Sequence, residues 1–147
     1  MPVKEIELAL KNEPGQLMLV SDMLNANGIT IIALQVNTRG KQGTLRLVTN
    51  DHARALTVLQ SRGYRVKANE VIACEIPSHP GGLNSVLKTL NNEKINVDYI
   101  YPCLNHLTTN SAAILIVGLL PEDRERAFDA FKANWIRVLD EEFNRGA

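Results

Sequence analysis

Asn12-Glu13-Pro14-Gly15-Gln16-Leu17 stands where one periodicity stops and another begins. Before it, residues 3–10 read V-K-E-I-E-L-A-L, with Ile6, Leu8 and Leu10 alternating with Glu7 and Ala9, the two-residue period of a strand. After it, Leu17, Val20 and Leu24 recur at helical spacing. Proline fixes φ near the helical value and has no N–H to leave idle, so Pro14 suits the first helical position. The stretch returns sixty-six residues later as Ser78-His79-Pro80-Gly81-Gly82-Leu83. It again lies between an apolar strand, residues 71–76, and a helical face, here Leu83, Val86, Leu87 and Leu90. Leu17 and Leu83 are expected in the core.

Outward from the first turn, Asn27-Gly28 ends the helix, glycine taking the left-handed conformation. Residues 29–37 form a second strand with Ile29 and Ile31 on one face and Ile32, Leu34 and Val36 on the other, a pattern that expects cover on both sides. A glycine-bearing hairpin at 38–43 leads to a third strand through Leu45, Leu47 and Val48. Asp51 is placed to cap a second helix carrying Leu56 and Leu59, Gly63 stops that helix, and a short fourth strand begins at 64–66. The second copy repeats the order. A strand spans 95–104, a longer hairpin 105–111 and an apolar strand 112–119. A helix over 121–133 sets Phe128 and Phe131 where Leu56 and Leu59 stood, Asn134 replaces Gly63, and a strand over 135–139 closes the unit. The order β-α-β-β-α-β, twice, predicts an α+β chain of two ferredoxin-like units, residues 1–68 and 69–147, each an antiparallel sheet with helices on one face. A unit of about 70 residues has a marginal core, so the spare apolar strand faces are expected to be covered by the sister unit or by a second copy in a homodimer.

Composition removes several function classes. Lysine plus arginine equals aspartate plus glutamate, 16 each, which gives no basic footprint for nucleic acid. The middle strands lack the aromatics on which an RNA-recognition sheet stacks bases. No apolar run approaches the roughly 20 residues of a membrane helix, and the first residues lack the pattern of a secretory signal, so a cytoplasmic protein is expected. Cys74 and Cys103 read as buried thiols; with His52, His79 and His106 they make no metal-ligand spacing, and no metal or cofactor is expected. No nucleophile elbow, P-loop or dinucleotide fingerprint occurs, so no catalytic set is assigned. Glu141 and Glu142 read as part of a solvated end.

The strand, Asn-x-Pro-Gly-x-Leu, helix, Gly, Ile-x-Ile succession resembles the ACT domain. Asn12, Pro14, Gly15, Leu17, Gly28, Ile29 and Ile31 carry the resemblance in the first unit, and Pro80, Gly81, Leu83, Ile95, Asn96 and Val97 in the second. It covers the chain as two tandem copies, like small stand-alone tandem-ACT proteins. The resemblance implies a regulatory protein that binds a small molecule, most often an amino acid. Its contacts come from the strand-to-helix turn and the start of the second strand: Asn12, Glu13, Pro14, Gly15, Gln16, Leu17 and Thr30, then Ser78, His79, Pro80, Gly81, Gly82, Leu83 and Asn96. The usual Asn pair is split, Asn12 with Thr30 in one copy and Ser78 with Asn96 in the other, and Gly28 becomes Lys94. One composite site and one live site beside a decayed one are both open.

The chemistry of such a turn fits a zwitterion. The first amides of a helix have no intrahelical partner and the helix dipole makes that end positive, so a carboxylate placed there collects several hydrogen bonds. Gly15, Gly81 and Gly82 leave room for its approach, Asn12 offers a donor and an acceptor, and Asp98, on the same strand face as Asn96, is a candidate for the ammonium. His79 caps the helix or touches the ligand. The alternative function is a ligand-free interaction module or an accessory regulatory subunit of a metabolic enzyme.

Overall fold

The structure, a computed structural model, describes residues 2–77, 79–104 and 113–144, and of Glu141 and Glu142 the backbone alone. Ser78, Ala112 and the expected 105–111 hairpin with His106 lie outside the described residues. The elements run β1 (Val3–Lys11), α1 (Gln16–Ala26), β2 (Ile31–Arg39), β3 (Gln42–Thr49), α2 (His52–Ser61), β4 (Val66–Ile76), α3 (Gly82–Asn92), β5 (Tyr99–Pro102), β6 (Ala113–Gly118), α4 (Arg124–Ala133) and β7 (Val138–Leu139). Contacts divide the chain into two compact units, Lys4–Asn69 with Glu141–Ala147, and Met1–Val3 with Glu70–Asp140. The chain passes from one to the other inside β4, one unbroken strand where two were expected.

In the first unit the strands lie in the order β2-β3-β1-β4, with β3 antiparallel to both β1 and β2. The alternation of β1 buries Ile6, Leu8 and Leu10 against Leu45 and Leu47 of β3, Val20 and Leu24 of α1, and Ala55 and Leu59 of α2. Each such leucine or isoleucine contributes about 1.5–3 kcal/mol on leaving water. Strict alternation fails on β2. A register shift between Ile31 and Ala33 sets both Ile31 and Leu34 against this one core, and Val36 is exposed, so cover on both faces ends before it.

The second unit repeats the sheet as β4-β6-β5 with β7 on the other side of β4, all antiparallel. Phe131 is its largest fully buried side chain, in one cluster with Ile72, Cys74, Val86, Leu90 and Val117, while Phe128 is partly buried; in the first unit Leu59 is likewise fully buried and Leu56 partly. The helix expected from Pro121 opens as a 3-10 turn, Pro121–Asp123, before α4, and the closing strand shrinks to Val138–Leu139.

Gly28 and Gly63 take φ of 70° and 86° after α1 and α2. At the matching places of the second unit stand Lys94 at 56° and Trp135 at 61°. Trp135, not Asn134, is therefore the left-handed residue; Asn134 remains at the helix end, its Nδ2 donating to Ala130 O at 2.8 Å. A side chain in this conformation costs about 1–2 kcal/mol, and Trp135 is 96% exposed, so no burial offsets the cost. Trp135→Gly is expected to raise stability by about 1 kcal/mol, read as a higher urea midpoint at unchanged slope. A lower midpoint would show that the indole packs on something.

Candidate functional site

The first Pro-Gly turn is held from the side. Asn12 donates its backbone N–H to Lys41 O at 2.9 Å and its Nδ2 to Gly40 O at 2.8 Å, tying the turn to the loop between β2 and β3. Glu13 N donates back to Lys11 O at 2.9 Å. Gly15, at φ 85°, is the residue before α1, and Pro14 belongs to the turn rather than to the first helical position. Glycine meets this requirement because L side chains are strained there. Gln16 N donates weakly to Glu13 O, at 3.4 Å, and Leu19 N donates to Gly15 O. Between them, the amides of Leu17 and Met18 have no protein partner among the described residues.

The second turn reaches the same result by other bonds. His79 Nδ1 accepts from Gly81 N at 3.0 Å, which braces the turn one residue ahead of α3. Gly82 N donates to His79 O, and Ser85 N donates to Gly81 O. The amides of Leu83 and Asn84 are left without a protein partner among the described residues. Gly82 is needed for space: a Cβ there would sit 2.1 Å from Pro77 O.

Among the described residues, neither α1 nor α3 has a side chain that accepts from its first helical amides, and neither has an acidic residue in its first turn. Each of the other two helices has one of these features. Asp51 Oδ1 accepts from Arg54 N at 3.3 Å before α2, and Glu122, Asp123 and Glu125 surround the start of α4. Both Pro-Gly helices thus offer an outside acceptor a positive end and two amides that have no partner among the described residues.

Leu17 and Leu83 are not core. They are 37% and 45% exposed, with Met18, Leu19 and Leu87 exposed nearby, while Val20 and Val86 turn inward. The i, i+3, i+7 pattern counts the first-turn leucines with the buried face. One turn before Val20 and Val86, they stand at the rim of the helix layer instead.

Thr30, Asn96 and Asp98 sit elsewhere in their units. Thr30 is locked to the end of β3, its N–H donating to Asn50 Oδ1 at 2.9 Å and its carbonyl accepting from Asn50 N at 3.1 Å. It follows α1, whose eleven residues span about 16 Å, so the turn and Thr30 lie at opposite ends of that helix. Asn96 and Asp98 follow α3 in the same way. Both precede β5 instead of sharing a strand face, and Asp98 N donates to Gly118 O.

The fold favours the protonated form of both thiols. Burial pushes Cys74 up to about 12, with a smaller contribution from Cys103, and burial pushes Cys103 up to about 12. No cluster of three or more metal-ligating side chains occurs among the described residues. Because a raised thiol pKa favours the protonated form in the fold, unfolded thiols ionise first, near 8.5. Stability is expected to be insensitive to these groups below that pH and to fall steadily as pH rises from about 8.5 towards 12. Urea titrations at pH 8 and 10 check this, and the double Cys74→Ala/Cys103→Ala variant should lose that slope.

Residues 1–141 match the family model described as an ACT domain pair. The chain belongs to this family. A protein of solved structure from Bacteroides thetaiotaomicron is similar in fold to this ACT pair at 23% identity, with a TM-score of 0.87 over 100% of this chain and 98% of that one. The ligand-free regulatory subunit of aspartate kinase from Thermus thermophilus is similar at 14% identity, with a TM-score of 0.64 over 92% and 94% of the two chains. Its counterpart from Thermus flavus is similar at 17% identity, with a TM-score of 0.58 over 92% and 94%. No curated protein matches the chain. Membership of the ACT pair family supports a regulatory role built on small-molecule binding. No helix among the described residues is long and apolar enough to cross a membrane.

Proposed function

We propose that this ACT pair is a non-catalytic, cytoplasmic sensor that binds an amino acid at its Pro-Gly turns. The observation that carries the reading is the pair of amides at each turn with no partner among the described residues, Leu17 with Met18 and Leu83 with Asn84, on two helices that lack both the capping side chain of α2 and the acidic first turn of α4. A ligand carboxylate takes those amides as an intramolecular cap would. Leu17, Met18, Leu83 and Leu87 offer an apolar rim for its side chain. Asn12 acts chiefly by positioning, since its Nδ2 already holds Gly40; its Oδ1 remains an acceptor for an ammonium. A ligand regulates only through unequal affinity for two states, and the exposed leucines give it a surface to alter.

Those leucines also support the second reading, in which the chain is a homodimer or an accessory subunit that docks on a metabolic enzyme through α1 and α3. A thermal-shift panel of the common amino acids tests the first reading. Light scattering with affinity capture from native extract tests the second. A ligand-free homodimer that no amino acid stabilises would leave only the second. A stabilised monomer with no partner would leave only the first.

A further inference from the structure

The second unit holds a cleft of about 440 Å³ that shares no residue with either Pro-Gly turn. Its walls are apolar, with Val71 from β4, Phe128 from α4 and Leu139 from β7. Glu70, Arg124 and Glu125 supply its charge. The volume lies within the range of small-molecule sites, and an apolar hollow with a few convergent polar groups is their usual form.

Arg124 is poorly satisfied where it stands. Its Nη1 lies 3.6 Å from Glu70 Oε2, longer than a hydrogen bond, and Glu70 is half exposed. Its Nε is buried and has no hydrogen-bond partner among the described residues. It also opens α4, where the positive end of the helix dipole disfavours a cation. A buried guanidinium donor without an acceptor is an uncommon feature that calls for a reason.

We propose that this cleft binds a small zwitterion with an apolar body. The guest's carboxylate lies on Arg124, its ammonium on Glu70, and its body against Val71, Phe128 and Leu139. The charge count selects this class. A simple carboxylate would meet two glutamates with nothing to offer them, and a simple amine would bring the Arg124 guanidinium no anion. A zwitterion answers both signs, and a guanidinium fork suits a carboxylate.

The test follows the side-chain Nε–H signal of Arg124 by NMR in the full chain during titration with L-norleucine, n-hexanoate and n-hexylamine. Norleucine should move the signal saturably, and the two singly charged analogues should bind at least about tenfold more weakly. Glu70→Gln, an exposed change that leaves the core intact, should weaken norleucine and strengthen hexanoate. Arg124→Gln should abolish norleucine binding at this cleft, read from the amides of Val71 and Leu139. An unmoved Arg124 signal overturns the proposal, as does unchanged binding in Glu70→Gln. Shifts confined to the amides of Leu17, Met18, Leu83 and Asn84 also overturn it while supporting the turn site.

Discussion

Gly82→Ala is expected to destabilise the protein by about 3 kcal/mol. The added Cβ would stand 2.1 Å from Pro77 O, and the obstacle is backbone, which cannot rotate away as a side-chain tip can. The second turn must open to admit it, and Gly82 N then loses its bond to His79 O. Gly15→Ala is the instructive comparison. A Cβ at Gly15 meets nothing within 4 Å, so its cost is the left-handed backbone alone, about 1–2 kcal/mol. Urea unfolding of the two variants should therefore rank Gly82→Ala as the more harmful. The reverse ranking would mean that the second turn is not packed as described.

Asn144→Ala is expected to cost about 2–4 kcal/mol. Asn144 Nδ2 donates to Lys4 O at 3.0 Å and to Thr49 O at 3.1 Å, and its Oδ1 accepts from Lys4 N at 2.8 Å. One buried side chain thus satisfies three backbone groups at the ends of β1 and β3, beyond the last rung they share, Ile6 with Leu47. Its loss strands the Thr49 carbonyl out of water. Asn144→Asp should be nearly as harmful, because a carboxylate cannot donate to two carbonyls. Removing residues 141–147 should match the single substitution. Hydrogen exchange adds a local check: the Lys4 amide should lose protection in every one of these variants. Retained protection would show that another group takes over the bond.

The two changes show what the sequence could and could not disclose. The repeated strand-turn-helix stretch is legible because periodicity and turn chemistry are local: Ile6, Leu8 and Leu10 do bury, Asp51 does cap, and Gly28 does turn left-handed. The ACT resemblance rests on the same local residues. Asn144 is not legible, since its partners are 95 and 140 residues away and nothing in E-E-F-N marks a clasp. Leu17 and Leu83 mislead because helical spacing does not tell the rim of a helix from its buried face. Trp135 escapes notice because its left-handed place contradicts its residue type, and Asn134 beside it offers the easier match. The separation of Thr30 from the first turn follows from chain direction along α1, a consequence of topology rather than of any motif.

A sensor of the proposed kind holds a ligand carboxylate on the amides of its two Pro-Gly turns. The most direct measurement is an amide NMR titration with the amino acid that gives the largest thermal shift. The Leu17 and Met18 amides, those of Leu83 and Asn84, or both pairs should move saturably. At about a hundred times the dissociation constant the ligand should also add roughly 2.7 kcal/mol of stability. An amino acid that stabilises the protein yet leaves all four amides in place would contradict this reading, and so would a full panel that produces no stabilisation at all.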